Sequence, residues 1–417
     1  MTRYTLYLSY FSLHEPLVQT QVIPYLKEIA RDGVKVILLT FEKDLRRRWT
    51  KERIMKEAER LSGEGIEWHW LRYHKRFAVL ATSYDIVKGT ILVRRLISRG
   101  EVDIIHARAH VPALIGSIAR RLFVRKRPKL LFDIRGFFPE EYVDAGIWRE
   151  GGVTYRTAKF VEKWLLKEAD GFVVLTEKAR EILFPESKAT GFDRLGRPVQ
   201  VIPCCVDLGR FAAVSEKVRE EMRKKLNVDD KKVIAYVGSF GGWYLTEQMI
   251  DFFSVAREFY RNAFILILTQ RDKERVIEKL RNRGLDGRDC LVESLPPQEI
   301  PTFLSIADVA LSFIKPCYSK LSSSPTKIAE YLASGVPVVT NSGIGDIAEL
   351  ITEDEVGVVI ESFDSSSYKK ALERLEELRK KGDLSANCRK SAKLRFDLIN
   401  VGGERYRALY KRLLGER

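Results

Sequence analysis

The sequence predicts an α/β protein built from two doubly wound units, in each of which helices cover both faces of a parallel β-sheet. Its 417 residues are too many for one ordinary hydrophobic core and suit two domains of about 200 residues each. Short β-rich runs alternate with longer amphipathic stretches, which is the order that parallel sheets produce. The alternation begins again after residue 203. We therefore expect one unit at 1–203, a second at 204–395, and a last helix at 396–417 that packs back on the first unit.

The first half of the chain opens with a predicted strand at Thr5–Ser9. Leu17–Arg31 has apolar residues at helical spacing, and Gly33 is expected to end that helix. The nearly continuous apolar run Val34–Phe41 predicts a strand that is buried on both faces. Further strands are predicted at Ile104–Ala107, Leu130–Ile134 and Phe172–Leu175.

The second half repeats the alternation, beginning with a strand and a helix that Thr246 is expected to cap. The predicted strands are Val233–Gly238, Phe264–Leu268, Cys290–Glu293, Val309–Phe313 and Val336–Thr340. The predicted helices are Thr246–Tyr260, Arg275–Arg283, Pro297–Ala307, Pro325–Ser334, a charged helix at Ser366–Lys381 and a last helical segment at Phe396–Leu414.

The composition is that of a soluble globular chain, with 45% hydrophobic and 31% charged residues. Its apolar runs are far shorter than the roughly 20 residues of a membrane span, and the N-terminus does not resemble a secretory signal. The five cysteines form no Cys-x-x-Cys pair, so we expect no disulfide framework, no zinc site and a cytoplasmic setting. The acidic runs Asp229-Asp230 and Glu353–Glu355 are interpreted as solvated surface, so no metal site is expected.

The net charge of +15 is concentrated in the first half. Residues 1–200 hold 37 of the 72 basic and 25 of the 57 acidic residues, which leaves 35 and 32 for the rest. Such a charge attracts an anionic partner: nucleic acid, an acidic membrane surface or a phosphorylated substrate. An ordinary salt-bridged surface is the alternative. The basic clusters are Arg46-Arg47-Arg48, Arg94-Arg95, Arg120-Arg121 and Arg125-Lys126-Arg127.

A run of aromatic residues in the first half suggests how a membrane would be touched. Trp68, Trp70, Tyr73 and Phe77 lie near Lys75 and Arg76, a mixture that suits a lipid interface. Ordinary packing is the alternative.

The strongest local signal is the segment Leu321–Asn341, LSSSPTKIAEYLASGVPVVTN. Free backbone N–H groups and the helix dipole make a helix start an anion site. Lys327 in the first turn suits a phosphate, and Glu330 on the same face suits two ribose hydroxyls. A capped surface helix with a Lys–Glu pair is the alternative. The polar residues crowded at this helix start are Ser322, Ser323, Ser324 and Thr326.

This segment resembles the donor-binding motif of retaining glycosyltransferase family four, which has the GT-B fold. Glu330 matches the second glutamate of that motif, with Gly335 and Pro337 in register, while Ser322 stands where the first glutamate is usual. Ser-Pro-Thr-Lys before Glu-Tyr is typical of a subgroup. Three other segments are similar to that subgroup: HEPLV followed by LLTFE, FDIRGFF, and VIPCCVD with Cys204-Cys205 in place of Asn-Gly.

The resemblance implies a retaining transferase whose second unit binds a nucleotide diphosphate sugar. Glu330 would hold the ribose, and Lys327 with the helix start would hold the diphosphate. The glycine-rich loop at Gly238 and Ser239 would let backbone approach the phosphates. Because Trp243 and Tyr244 lie where the family often has a lysine, Arg271 is a further candidate cation. The base is expected near Val292–Leu295.

The first unit would bind the acceptor, a hydroxyl on a lipid-linked or phosphorylated glycan. His110 is favoured over His106 as the functional histidine, with Arg108 as an anion partner. Asp133 and Arg135 follow the next strand and form either a site or a structural pair. Cations and helix dipoles would replace a metal, so no cofactor is expected, and the enzyme would work at the inner face of the membrane.

Two other functions remain open at this stage. A sugar-nucleotide 2-epimerase on the same fold would need acid and base carboxylates and no acceptor. A nucleic-acid-binding module would fit the charge, but no basic recognition helix or aromatic RNA-binding signature is present, so no nucleic-acid partner is expected.

Overall fold

The computed structural model describes residues 3–45, 49–74, 78–100, 102–122 and 127–415. Arg46–Arg48, Lys75–Phe77 and Arg125-Lys126, which the sequence analysis singled out, lie outside the described residues. Contacts divide the chain into unit 1, Met1–Pro203 with Leu398–Arg417, and unit 2, Cys204–Asp397.

Unit 1 contains one seven-stranded sheet in which all neighbouring strands are parallel. Its strands are β1 (Arg3–Leu8), β2 (Val34–Glu42), β3 (Ile66–Arg72), β4 (Ile104–Arg108), β5 (Lys129–Asp133), β6 (Gly171–Val174) and β7 (Val199–Val201). The spatial order is β3-β2-β1-β4-β5-β6-β7, so the order reverses between β1 and β4. This is the doubly wound arrangement that the alternation predicts.

The helices of unit 1 connect these strands, and the last one returns from the end of the chain. They are α1 (Pro16–Gln21), α2 (Ile23–Ala30), α3 (Lys51–Gly63), α4 (Ala78–Ser98), α5 (His110–Arg121), α6 (Phe138–Asp144), α7 (Val153–Glu168), α8 (Glu177–Leu183), α9 (Ser187–Thr190) and, after a π-helical turn at Leu398–Gly403, α19 (Glu404–Leu414). Helix α5 packs against both α4 and α7, and α19 packs against α2.

Unit 2 contains a six-stranded parallel sheet. Its strands are β8 (Lys232–Val237), β9 (Ala263–Leu268), β10 (Cys290–Glu293), β11 (Val309–Ser312), β12 (Val338–Asn341) and β13 (Gly357–Ile360). The order β10-β9-β8-β11-β12-β13 reverses between β8 and β11. Its helices are α10 (Leu208–Ala212), α11 (Glu216–Lys225), α12 (Thr246–Phe259), α13 (Lys273–Arg281), α14 (Ile300–Leu304), α15 (Thr326–Ala333), α16 (Ile347–Glu353), α17 (Ser365–Lys381) and α18 (Leu384–Phe396).

Two hydrophobic clusters of unit 2 lie on opposite faces of its sheet. Ala235 and Leu266 pack with α15 and α18 in one cluster. Ile234 and Ile265, their neighbours in sequence, pack with α12 and α17 in the other. Because successive strand residues point to opposite faces, a nearly continuous apolar strand is what a sheet covered on both sides requires.

Several predicted helices differ from the structure. The single helix predicted at Leu17–Arg31 is wrong, because α1 and α2 are separated at Val22, whose φ is −124° and ψ −65°. Pro24 lies in the first turn of α2, the one part of a helix where a missing N–H costs nothing. Thr246 is the first residue of α12 and not its cap, and its hydroxyl accepts a hydrogen bond from Gly241 N–H (2.9 Å).

Two further helices are shorter than predicted. The helix predicted at Pro297–Ala307 is confined to Ile300–Leu304. The single helix predicted at Phe396–Leu414 is also wrong, because Phe396 ends α18, the π-helical turn Leu398–Gly403 follows, and α19 begins only at Glu404. The edge strands β3, β7 and β13 were not predicted. No helix in the described part of the chain is both long and apolar enough to cross a membrane.

Candidate functional site

The strongest candidate site in unit 2 lies where the strand order reverses. The loop after β8 carries Gly238 and Ser239, and the segment after β11 leads into α15 with Lys327 and Glu330. In open parallel sheets this position, at the carboxyl ends of the strands, is where ligands bind. The Lys327 ammonium reaches the glycine loop, since a Cβ on Gly238 would lie only 2.7 Å from Nζ. Gly238 also has a φ of 139°, so a side chain there would be strained as well as crowded.

Lys327 is held in a cage of two tyrosine rings. Its side chain is buried, and Nζ lies 4.2 Å from the centroid of the Tyr236 ring and 3.8 Å from that of Tyr244. The ammonium also donates a hydrogen bond to the Tyr236 hydroxyl (3.1 Å). Burial lowers the pKa of Lys327 to about 7, and the nearby charge of Glu330 opposes that shift only in part. The cage therefore positions a cation that has little protein charge to balance it.

Glu330 lies one helical turn after Lys327 and is partly buried. Loss of hydration raises the pKa of its carboxyl to about 7, although the charges of Arg210 and Lys327 act in the opposite direction. The next residue, Tyr331, fixes α15 to the sheet, because its hydroxyl accepts a hydrogen bond from Val237 N–H (2.8 Å). Helix α15 is thus tied to the strand end whose loop it faces.

The serines before α15 are used within the fold. The Ser322 hydroxyl donates to Ser319 C=O (2.7 Å) inside a 3₁₀ turn at Tyr318–Ser322, and Ser324 Oγ accepts from Cys204 N–H (3.0 Å). Ser323 follows that turn, and Thr326 is the first helical residue. Pro325 is the N-cap, and no side chain in the described residues caps α15. The first N–H groups of this helix are therefore available to an anion.

Arg271 and the expected base site lie one strand further out. Arg271 is exposed just after β9, where its N–H lies 3.4 Å from Thr269 Oγ1. Val292–Leu295 covers the end of β10 and the loop after it, where Leu295 C=O accepts from the Gln270 side chain. Both lie at the carboxyl ends of the strands, as Lys327 does. The structure shows no contact between Arg271 and the Lys327 cage among its described residues.

In unit 1 the corresponding reversal holds a closed hydrogen-bonded network around Asp133. This residue is 0% exposed. Its Oδ2 accepts a hydrogen bond from Tyr406 of α19 (3.1 Å) and lies 3.4 Å from His106 Nε2, while Arg135 donates to Oδ1 (3.4 Å). Burial by itself would raise the pKa of Asp133, but Arg135, His106 and Arg108 outweigh it and hold that pKa well below its usual value.

Arg108 and His106 complete this network. Arg108 is buried, with one guanidinium nitrogen 3.9 Å from Asp133 Oδ2, and it donates to Gln21 C=O (3.3 Å). His106 Nδ1 lies 2.9 Å from the Tyr410 hydroxyl, and burial lowers the pKa of this histidine against the opposing charge of Asp133. The structure thus brings Arg108, Asp133 and Arg135 together around His106.

His110 belongs to a different cluster. It begins α5 directly after Ala109, a residue with a φ of 66°, which is strained for a residue with a side chain. His110 Nε2 lies 3.3 Å from Glu162 Oε1, and the ring packs edge-on against Phe132. Its buried Nδ1 has no hydrogen-bond partner among the described residues.

Of the aromatic residues expected at a membrane surface, Trp68 is buried, and Trp70 and Tyr73 are partly buried. Trp68 is buried, donates to Thr40 Oγ1 (2.8 Å) and packs against Trp49 and Trp70. Tyr73 packs edge-on against Tyr10. Ordinary packing thus accounts for the described part of this group. Within the described ranges, no group of three or more His, Cys, Asp or Glu residues could hold a metal ion.

Two family models match separate parts of the chain. Residues 18–187 match the glycosyl transferase 4-like domain, and residues 218–395 match the glycosyl transferases group 1. The chain belongs to the glycosyltransferases. The group 1 segment contains β8 and β11, between which the strand order of unit 2 reverses, and the Lys327 cage.

Solved structures show the same architecture over the full length of this glycosyltransferase. A glycosyltransferase from Rickettsia africae superposes with a TM-score of 0.71 at 17% identity, covering 100% of both chains. HepE from Anabaena in complex with UDP-glucose gives 0.67 at 16% identity, covering 98% of this chain and 99% of that one. At this level of identity the likeness establishes the GT-B fold.

The curated relatives match over shorter segments. The putative glycosyltransferase YtcC of Bacillus subtilis is 25% identical over 231 residues, which are 52% of this chain and 54% of that protein. The matched segment therefore spans about half the length of this relative.

Sequence reasoning missed the aromatic partners of the lysines. Tyr236 lies inside the predicted strand Val233–Gly238, and the sequence predicted no role for it. Trp243 and Tyr244 were noted as replacing an expected lysine, yet each packs against a lysine from elsewhere: Tyr244 against Lys327, and Trp243 against Lys320 at 3.8 Å. The available signal was the pair Trp243-Tyr244, which occupies the place of an expected lysine. An aromatic ring can position a cation that another segment supplies, so the pair could have predicted a lysine nearby.

Proposed function

We propose that the protein transfers a sugar from a nucleotide diphosphate sugar to a hydroxyl acceptor, with retention of configuration at the anomeric carbon. The observation that carries this proposal is the buried Lys327 ammonium at the strand-order reversal of unit 2. It lies beside the glycine loop, at an uncapped helix start and one turn before Glu330. A diphosphate would supply the negative charge that the surroundings of Lys327 lack.

The donor is held at two points in this proposal. The diphosphate binds Lys327 and the first N–H groups of α15, close to the backbone at Gly238 and Ser239. The Glu330 carboxylate accepts hydrogen bonds from vicinal ribose hydroxyls. As the sugar–phosphate bond breaks, negative charge grows on the leaving diphosphate, and a fixed cation with a helix dipole stabilises it without solvent rearrangement. Complexes of HepE with UDP and with UDP-glucose support a uridine nucleotide as the first donor to test.

The acceptor binds unit 1 in this proposal. Arg108 and Arg135 are positioned around Asp133 and would attract a phosphorylated or lipid-linked glycan. His110, with a buried Nδ1 and Glu162 on its other nitrogen, would bind a sugar hydroxyl. The resemblance to retaining family four supports retention. Since Lys327 and the helix start supply positive charge at the diphosphate, we propose that transfer needs no metal cofactor and takes place in the cytoplasm.

The first experiment separates transfer from other reactions of the same donor. The purified chain is incubated with UDP-sugars, with and without a panel of glycosyl acceptors, and both free UDP and the sugar product are measured. UDP release that depends on the acceptor, unchanged by EDTA, is expected. Accumulation of an epimerised UDP-sugar without UDP release would instead establish a 2-epimerase and overturn the proposal.

The second experiment assigns the reaction to the Lys327 site. Glu330→Ala should abolish the thermal stabilisation that UDP-sugars produce. Glu361→Ala, an exposed carboxylate that accepts a hydrogen bond from Ser342, is the matched control and should leave the stabilisation intact. An unchanged shift in Glu330→Ala would remove the proposed role of this residue.

A further inference from the structure

Helix α4 of unit 1 is fixed so that one side faces outward. The Asp85 carboxylate on its inner side accepts a hydrogen bond from the Tyr10 hydroxyl (2.8 Å) and lies 2.6 Å from His74 Nδ1. A Cβ at Gly89 would lie 2.8 Å from Cδ1 of Ile115, so the α4 backbone packs directly on α5. Rotating α4 would break these contacts, and its outward side is therefore a permanent surface.

That outward side is an apolar stripe that ends in arginines. Leu80, Tyr84, Val87 and Ile91 recur at intervals of four, three and four residues and so share one face over about 17 Å. They are exposed, Leu80 by 72% and Val87 by 56%. Exposed positions on the same helix also include Lys88, Arg94 and Arg95. Asp85 is the acid of α4, and it is buried.

Helix α7, on the other side of α5, has the same character. Phe160 is 73% exposed, and Val153 is exposed as well. The other exposed side chains of α7 are Thr154, Arg156, Thr157, Lys163 and Lys167. Neither acidic residue of α7 adds negative charge to this surface. Glu162 is buried, and Glu168 forms an ion pair with Arg121 at the end of α5. The exposed positions of α4 and α7 in the described residues thus include no acid.

Unit 2 has no comparable surface in the described residues. It exposes two large apolar side chains, Tyr318 and Leu394, on separate segments. The exposed side of α17 alternates Lys369 and Lys370 with Glu373 and Glu377. An apolar stripe together with a single sign of charge is therefore particular to unit 1, and such a patch marks an interaction surface.

We propose that the exposed sides of α4 and α7, here called the basic–apolar face, bind an anionic lipid bilayer. The stripe supplies aliphatic and aromatic groups that enter the interface, and the lysines and arginines neutralise lipid headgroups. A nucleic acid would satisfy the charges but leave Leu80, Val87 and Ile91 in water. A second copy of the chain would bring two positive faces together. A bilayer with anionic headgroups matches both properties of the face.

Flotation with lipid vesicles tests this directly. The full chain is mixed with vesicles of phosphatidylcholine alone or with about one-third phosphatidylglycerol, and the floated fraction is measured as a function of NaCl concentration. Binding to the anionic vesicles that weakens as salt rises is expected. No binding to anionic vesicles at low salt would overturn the proposal.

Matched variants locate the surface. R94E/R95E should weaken binding to anionic vesicles by about 30-fold or more, because each basic residue near the membrane contributes roughly a factor of five. L80S/V87S/I91S should remove the binding that persists at high salt. The controls are K369E/K370E, a double charge reversal, and L394S, an apolar-to-serine change; both lie on unit 2 and should bind as the unchanged chain does. Equal binding by all four variants would overturn the assignment of this face.

Other occupants of the face give different results in the same set of proteins. If the unchanged chain were a dimer by light scattering and L80S/V87S/I91S were a monomer, the face would be a self-association surface. If the chain bound single-stranded RNA at physiological salt and ignored anionic vesicles, the partner would be nucleic acid. Either result would overturn the lipid proposal. Circular dichroism and the thermal midpoint establish that each variant is folded.

Discussion

The two strand-order reversals of this protein hold buried charges in opposite ways. In unit 1 the Asp133 carboxylate is surrounded by Arg108, Arg135, His106 and the Tyr406 hydroxyl, and its pKa is held far below the usual value. In unit 2 Lys327 has two aromatic rings and one hydroxyl around it, and burial brings its pKa down to about 7. One charge is balanced by the fold, and the other is not.

This difference indicates what each reversal is for. A buried charge with a complete set of partners stabilises one conformation and positions the residues around it. A buried charge without a counter-ion costs free energy that a bound ligand recovers. We therefore interpret the Asp133 network as a positioning element for unit 1 and the Lys327 cage as the place that awaits an anion.

The largest effect is expected from Asp133→Asn. Losing this carboxylate removes the counter-charge of Arg108, which is buried, and weakens the hold on the partly buried Arg135. This costs about 3–5 kcal/mol and lowers the midpoint of the affected unfolding transition by about 10 °C. Scanning calorimetry measures this midpoint. Asp286→Asn, which removes an exposed partner of Arg288, is the control and should change it little. A shift equal to that of the control would show that the Asp133 network is not structural.

Lys327→Met tests whether the buried charge of unit 2 binds the diphosphate. We expect affinity for UDP to fall by about 100-fold, as for loss of a desolvated charged hydrogen bond to phosphate. The midpoint of thermal unfolding should stay the same or rise, because removing an uncompensated buried ammonium relieves its desolvation cost. Titration calorimetry with UDP measures the first quantity. Lys369→Met on the exposed side of α17 is the control. If the affinity of Lys327→Met for UDP stayed within threefold of that of the unchanged chain, the cage would not be the diphosphate site.

The sequence predicts the architecture better than it predicts this difference. Strands such as Val34–Glu42 and Ala263–Leu268 could be predicted because each is a nearly continuous run of apolar residues in the sequence. The motif at Ser324–Tyr331 likewise placed Lys327 and Glu330 on one helix. The Asp133 network was not predictable in the same way, because Tyr406 and Tyr410 approach it from a helix about 270 residues later in the chain. Edge strand β3 escaped notice although IEWHWLR alternates in the strand pattern, since its aromatic residues suggested a surface instead.

The stabilities of the two units should also depend on pH in different ways. The folded pKa of Lys327 lies below its ordinary value, so between about pH 7 and 10 the unfolded state binds more protons and stability rises with pH. The folded pKa of Glu330 lies above its ordinary value, so between about pH 4.5 and 7 stability falls as pH rises. Together they predict a minimum in the stability of unit 2 near pH 7.

The contribution of Asp133 to stability has a pH slope opposite in sign to that of Glu330. Its folded pKa is depressed, so its contribution to unit 1 is present at neutral pH and is lost as pH falls below about 4. Thermal midpoints measured from pH 5 to 9 should show the shallow minimum, a few degrees deep, and a K327M/E330Q variant should remove it. A K369M/E373Q variant is the control. A minimum that persists in K327M/E330Q would mean that other groups produce it.

The smallest effect is expected from substitutions of Tyr244, which separate the contribution of its ring from that of its hydroxyl. Tyr244→Phe keeps a ring beside the Lys327 ammonium and should leave UDP affinity within about twofold, whereas Tyr244→Leu removes the ring and should weaken it by about fivefold. The loss should appear as a higher Kd for UDP in the binding assay and a higher KM for the donor, with kcat unchanged, in the transfer assay. The reason is that the ring positions the lysine and does not touch the reacting atoms. If Leu and Phe behaved alike, the ring would merely fill space. Lys327 would then be positioned by the ring and the hydroxyl of Tyr236, and Tyr244 would have no part in the donor site.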